Sequence, residues 1–197
     1  MEFRTKDEVR KFIWNNIQVR FPPPWGRIPN FFGAERACER IRELEEYRKS
    51  RIVFSAPDSP LRRAREIILE DGKTLLAVKP RMTGFLLLKG VRDATIRGMM
   101  RHGKEIAENE LKKLKGVDIF LQGCVAIDRY GNRIGKGSGY GDREYDLLKK
   151  HGLLENCLYV VVASDSQVFD DLSHLMSEHD VKADLILTPN SVILCER

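Results

Sequence analysis

Six short stretches of this chain are nearly unbroken apolar runs, at Arg51–Ser55, Thr74–Val78, Phe85–Lys89, Val117–Ala126, Leu158–Ser164 and Leu185–Thr188. A strand with one wet face alternates polar and apolar residues. A run without alternation suits a strand covered on both faces, as in a mainly parallel sheet with helices above and below it. The intervening segments supply helices. Ser59-Pro60 opens one that closes near Gly72, and with its flanking runs it makes a β-α-β unit. Glu105–Lys115 reads as a charged helix and Asp142–His151 as another. The 197 residues contain no repeat, low-complexity stretch or long linker, so the expectation is a three-layer α/β sandwich around a mainly parallel sheet, with residues 1–197 as a single domain.

The N-terminal quarter is helical in pattern. Val9, Phe12, Ile13 and Ile17 fall on one face of a helix over Lys6–Gln18, with Lys6 and Arg10 a turn apart on another. Phe21-Pro22-Pro23-Pro24-Trp25-Gly26 ends it, because proline lacks an amide donor and forces the preceding residue out of helical geometry. Ala34, Ala37, Cys38, Ile41 and Leu44 then predict a second helix between Gly33 and Tyr47. Trp14 and Trp25 read as packing residues.

Composition narrows the function classes. The net charge of +5 suits anionic ligands such as nucleotides, but it is dispersed, and no motif supports a nucleic-acid partner. The longest apolar runs fall far short of the ~20 residues of a membrane helix, and the start MEFRTKDEVRK has no apolar signal core, so the expected compartment is the cytoplasm. Cys38, Cys124, Cys157 and Cys195 are 86, 33 and 38 positions apart, without zinc-finger spacing, and read as free thiols. His174 and His179 are five apart, which does not match two ligands four apart on one helix face.

The segment richest in chemistry is Asp128-Arg-Tyr-Gly-Asn-Arg-Ile-Gly-Lys-Gly-Ser-Gly-Tyr-Gly-Asp142-Arg143, which follows the strongest strand and precedes a helix. Gly135, Gly137, Gly139 and Gly141 alternate, a pattern that permits positive φ, close approach of backbone to ligand, and amides converging on phosphate near a helix N-terminus. Lys136, Arg133 and Arg143 add positive charge, and Asp142 adds a hard oxygen suited to Mg²⁺ or a helix cap. The loop is neither a Walker A motif, since Gly131 and Gly135 are one residue too close and Gly137 stands at the Ser/Thr position, nor a dinucleotide G-x-G-x-x-G. By itself it reads either as a phosphate loop or as a flexible turn. His179-Asp180 reads as a turn before a strand, with Asp180 capping or pairing with a base, while Asp118, Asp128 and Asp165 border strands and are candidates for the same cleft.

Arg133-Ile-Gly-Lys-Gly-Ser-Gly-Tyr-Gly-Asp142-Arg143 resembles the R-L/I-G-x-G-x-G-Y-Y-D-R signature of 5-formyltetrahydrofolate cyclo-ligases, also called methenyltetrahydrofolate synthetases. Lys6-x-x-x-Arg10 looks like that family's start, and Glu178-His179-Asp180-Val-Lys-Ala-Asp184-Leu-Ile-Leu-Thr188 like its ending. The segments Arg27-Ile-Pro-Asn-Phe31, Gly33-Ala34, Lys73-Thr-Leu-Leu76 and Pro80-Arg81 bring the chain closer to the methenyltetrahydrofolate synthase domain-containing subfamily. The resemblance implies a cyclo-ligase-like fold and an ATP- and Mg²⁺-dependent closure of 5-formyltetrahydrofolate, or a related folate or pterin, to the 5,10-methenyl form. Carried over by position, it implies that Lys6 and Arg10 clamp phosphates and that Gly135, Lys136, Gly137, Ser138, Gly139 and Tyr140 wrap the nucleotide with Arg133. Lys6, Tyr140 and Arg143 would act in catalysis, and Asp142 would hold the metal. Two departures stand out. Gly141 replaces the second tyrosine, and Lys89-Gly90-Val91-Arg92-Asp93 stands where the family has G-I/V-x-E-P, with no glutamate-containing folate segment mid-chain. Met82 and Phe85 are candidates for a pterin pocket or for core. The alternatives are a non-catalytic or RNA-associated nucleotide-binding relative and a sugar-phosphate isomerase on a similar fold.

Overall fold

The computed structural model describes residues 2–197. Along the chain run α1 (Lys6–Asn16), α2 (Ala34–Glu39), α3 (Glu45–Lys49), β1 (Ile52–Ser55), α4 (Arg62–Glu70), β2 (Thr74–Val78), β3 (Phe85–Leu88), α5 (Ile96–His102) and β4 (Lys104–Ile106). β5 (Ile119–Gly123), β6 (Ala126–Asp128), β7 (Arg133–Ile134), α6 (Tyr140–Lys150), β8 (Leu158–Val162), β9 (Val168–Phe169), β10 (Leu185–Leu187) and β11 (Val192–Leu194) follow. The strands form an eight-stranded sheet in the order β11-β10-β8-β5-β1-β2-β3-β4 and a smaller sheet in the order β7-β6-β9.

Strands β10, β8, β5, β1 and β2 are mutually parallel, as their unbroken apolar runs predict, and helices flank the sheet. Its two edges are antiparallel: β3 and β4 extend it beyond β2, and β11 folds back on β10. Phe54 of β1 and Phe120 of β5 stack at 4.6 Å between ring centroids, and Tyr145 of α6 and Tyr159 of β8 meet Phe120 edge-on. These contacts, with fully buried Leu148, seat α6 on the sheet and so fix where its N-terminus lies.

Several boundaries differ from the sequence pattern for local reasons. The expected helix from Gly33 to Tyr47 is broken: a 3-10 turn at Arg40–Glu43 follows α2, and Leu44 is extended so that its buried side chain faces the core. Glu105–Lys115 is not a helix. Lys104–Ile106 is drawn into the sheet as its edge strand, leaving a 3-10 turn at Glu108–Lys113. The long run Val117–Ala126 divides at Cys124-Val125 between β5 and β6, which belong to different sheets. Trp25 is 53% exposed, so it is not a core residue, although its ring lies 6.0 Å from Trp14. Cys38, Cys124 and Cys195 are buried free thiols and Cys157 is half-buried.

The change of sheet after β5 matters most for function. It carries the chain from the central sheet onto the small one, where a second hydrophobic cluster joins Val9 and Ile13 of α1 to Ile28, Val125, Ala126, Ile134 and Leu172. α1 is thereby laid beside the loop that follows β7.

Candidate functional site

A cleft of about 430 Å³ opens between this second cluster and the strand ends of the large sheet. Its walls come from α1, the segment after β1, the β2–β3 connection, the end of β5 and the glycine loop, with Asp180 from the C-terminal segment. Strand ends facing a topological break are where an α/β fold leaves room for a ligand.

α1 contributes Lys6 and Arg10. Thr5 caps the helix by accepting the Glu8 amide, and the apolar face holding Val9 and Ile13 turns the Lys6–Arg10 face toward the cleft. Lys6 Nζ donates to Asp180 Oδ2 at 2.6 Å, joining groups 174 residues apart in sequence. Burial disfavours ionisation of Asp180, but Lys6 and the Ser177 amide outweigh it and hold the carboxyl below the usual aspartate range. Arg10 Nε donates to the Gly135 carbonyl at 2.7 Å and its guanidinium pairs with Asp7.

The glycine loop runs from β7 into α6. Gly137 (φ 96°) and Gly139 (φ 71°) occupy the left-handed region, where a side chain would be strained. The Arg10 guanidinium packs against Gly137, 3.5 Å from where a Cβ would stand. Gly139 is the N-cap of α6 and offers no side-chain cap, so amides of the first turn stay available to a ligand. Arg133 lies beneath the loop with its side chain 7% exposed, donating to the Gly123 carbonyl at 3.2 Å and Asp142 Oδ1 at 3.1 Å. It props the loop from below. Lys136 faces Asp58 at 3.6 Å, and Gly135, Ser138 and Tyr140 line the same cleft.

Asp142 stands in the first turn of α6, accepts from Arg133 instead of from a helix amide, and is largely exposed. Among the described residues no group of three or more His, Cys, Asp or Glu side chains could hold a metal by itself. A single carboxylate beside a glycine loop nonetheless fits Mg²⁺, which is commonly held by one or two carboxylates, water and the phosphates of a bound ligand. Arg143, expected in the catalytic group, lies outside the lining residues, with its guanidinium 5.7 Å over the Tyr140 ring. Nor do the strand-bordering aspartates enter the cleft. Asp118 accepts the Arg51 and Ile52 amides, Asp128 is sealed among the Tyr130, Asn132 and Leu172 amides, and Asp165 holds Thr188 and Asn190. Phe85 is core, whereas Met82 lines the cleft in a turn where it and Arg81 both have positive φ, 55° and 58°.

The floor holds residues that spacing did not single out. Gln122, a lone polar residue in the apolar run of β5, donates from Nε2 to the Gly141 carbonyl at 2.9 Å and to Glu144 Oε2 at 3.3 Å, and accepts the Tyr159 hydroxyl at 2.6 Å. Glu144 is 4% exposed. Burial, reinforced by the neighbouring Asp58 carboxylate, pushes its carboxyl up to about 7.

Known proteins resemble this chain in sequence and in fold. Residues 3–189 match the model of the 5-formyltetrahydrofolate cyclo-ligase family. A methenyltetrahydrofolate synthase domain-containing protein of Bos taurus is 35% identical over 212 residues, covering 98% of this chain and 55% of the relative. The chain thus spans about half the length of the curated relatives it matches. Among solved structures, the 5,10-methenyltetrahydrofolate synthetase of Aquifex aeolicus shares the fold with a TM-score of 0.64 at 23% identity, over 98% of this chain and 93% of that one. The synthetase of Mycoplasma pneumoniae does so with a TM-score of 0.56 at 16% identity, over 92% and 97%. With the family model spanning nearly its whole length and a relative above 30% identity along the same span, the chain belongs to the 5-formyltetrahydrofolate cyclo-ligase family.

Proposed function

We propose that this chain converts 5-formyltetrahydrofolate, or a closely related folate or pterin, to its 5,10-methenyl form at the expense of ATP. The observation that carries this reading is the convergence of Lys6 and Arg10 with the Gly135–Tyr140 loop on one cleft. In the reaction the formyl oxygen takes the γ-phosphoryl group and ADP departs. N10 then attacks the activated carbon, the C–O bond breaks as phosphate leaves, and N10 gives up its proton. Such chemistry asks the protein to hold a polyphosphate and offset its growing charge more than to supply a strong base. Lys6 and Arg10 supply positive charge, the loop amides supply fixed donors, and Lys136 faces the same volume. Asp142 would hold a nucleotide-bound Mg²⁺, which supplies charge neutralisation on the phosphates. We further propose the cytoplasm as the compartment, in keeping with four unpaired cysteines; no helix of the described residues is long and apolar enough to cross a membrane.

The test is the absorbance gain of the methenyl product with 5-formyltetrahydrofolate and Mg-ATP. Product formation dependent on both supports the reading. Nucleotide binding without turnover would favour a non-catalytic relative, the outcome to which Gly141 in place of tyrosine points. Asp142→Asn removes a charge without removing a helix cap, because Asp142 caps no amide. It should therefore weaken Mg²⁺-dependent ATP binding about tenfold or more and leave the ligand-free melting temperature nearly unchanged, as read by calorimetric titration and thermal unfolding.

A further inference from the structure

Glu144 is a buried carboxyl with one tether. Gln122 Nε2 reaches Oε2 at the long distance of 3.3 Å, and among the described residues no cation lies within ion-pairing distance. Among the described residues no side-chain oxygen sealed from solvent lacks a partner and no group donates to Oε1, so Oε1 opens onto the cleft that Glu144 lines. A carboxyl that keeps so little contact with water and has one oxygen free gains from a ligand that donates to that oxygen.

What holds this group in place is the residue at which the chain leaves its family's signature. A Cβ on Gly141 would stand 2.8 Å from Arg133 Nη2 and 3.0 Å from Gln122 Nε2. With glycine there, Gln122 bonds the Gly141 carbonyl, and its orientation is locked from the other side by the Tyr159 hydroxyl. Gln122 must then present its amide hydrogens, not its oxygen, to Glu144. A second carboxylate, Asp58, lines the same cleft close enough to Glu144 to raise its carboxyl, and faces Lys136 at 3.6 Å.

Carboxylate oxygens accept hydrogen bonds and repel phosphate, so this floor is unsuited to a nucleotide's phosphates. Resting on the reading above, we propose that Glu144 Oε1 takes an N–H of the exocyclic amino group on the second ligand's N-heterocyclic ring, making Glu144 a specificity-determining residue supplied by α6. The ring of a folate carries such an amino group, beside a ring N–H. The cleft is then divided by chemistry: α1 and the glycine loop take the anionic ligand, and the Gln122–Glu144 floor takes the N–H-bearing one. A site built to accept a ligand N–H rejects an analogue that lacks it, because its own buried group is left unpaired.

The experiment is calorimetric titration of the full chain at fixed pH with 5-formyltetrahydrofolate, with its 2-desamino-2-methyl counterpart, and with Mg-ATP. The wild type should prefer the amino ligand at least tenfold. Glu144→Met, which removes the acceptor at similar volume, should lose at least tenfold for the amino ligand and less than twofold for the methyl one, with Mg-ATP affinity within twofold of wild type. Glu144→Gln, which keeps a neutral acceptor, should fall between. A wild type that binds both folates equally overturns the proposal without recourse to any variant, including one that fails to fold. Glu144→Met that binds the amino ligand within twofold of wild type, or weakens both folates alike, overturns it as well. A wild type that forms methenyl product but shows no such discrimination defeats this proposal alone, whereas one that neither binds folate nor turns it over defeats the functional reading with it.

Discussion

Gly141 shows how one missing side chain rearranges several others. Its backbone needs no left-handed φ, so glycine is required there for space alone. The atoms that a Cβ would meet are side-chain ends, those of Arg133 and Gln122, and not backbone, so a shift of those ends by a few tenths of an ångström relieves the contact. Gly141→Ala should therefore cost little stability, because the ~1 kcal/mol advantage of alanine within a helix offsets the displaced contacts. It should instead push Gln122 off the Gly141 carbonyl and release Glu144. The expected result is a melting temperature within a few degrees of wild type together with folate affinity reduced severalfold, both measurable on one purified variant. A large fall in melting temperature would mean that Arg133 cannot yield and that the glycine serves the fold. The sequence announced Gly141 as a departure from the signature, but its neighbours were hidden: Gln122 lies 19 residues away on a strand, and only the fold brings the two together.

Among the elements, those with a strong period or an unbroken apolar run were legible, and those decided by neighbours were not. β1, β2, β5, β8 and β10 follow from hydrophobicity alone because burial on both faces leaves no polar alternation to mislead. β4 and β11 have one neighbour each and only three residues, so their pairing is set by β3 and β10 and not by their own composition. The α3–α4 region shows such tertiary control in a testable form. Asp71, just past α4, accepts Arg42 Nε at 3.0 Å, Arg42 Nη2 at 2.8 Å and the Tyr47 hydroxyl at 2.9 Å, tying the α2–α3 segment to α4. Arg42, helped by Tyr47 against a smaller opposing effect of burial, holds the Asp71 carboxyl below the usual aspartate range. A carboxyl depressed on folding stabilises fully above its unfolded pKa of about 4, and this contribution is lost as pH falls through the folded value. Asp71→Asn should cost about 1–2 kcal/mol near neutral pH, a figure reduced for partial exposure, and the gap from wild type should close as the solution is acidified below about pH 4. Denaturant unfolding across that range measures it, and a gap that persists at low pH would assign the loss to packing.

At the scale of the whole molecule the cleft lies between two separately buried clusters, one around the large sheet and one that holds α1 on the small sheet. In the protein alone the polar ties across it are few: Lys6 to Asp180, Arg10 to the glycine loop and Lys136 to Asp58. A nucleotide that contacts α1 and the glycine loop together adds ties where the protein has few, so binding should appear as stabilisation of the entire fold. At a Mg-ATP concentration one hundred times Kd the gain is about 2.7 kcal/mol. For a chain of this size each kcal/mol raises Tm by about 2–4 °C, so the expected shift is about 5–10 °C. Arg10→Ala separates the two roles that this side chain holds. If its main work is on the ligand, a tenfold loss of affinity leaves roughly 1.4 kcal/mol at the same nucleotide concentration, halving the shift while the ligand-free Tm stays within a few degrees of wild type. If its main work is to brace the glycine loop through the Gly135 carbonyl, the ligand-free Tm falls and the nucleotide increment survives. Scanning thermal unfolding of wild type and variant, with and without Mg-ATP, decides between them, and the cleft geometry leads us to expect the halved increment.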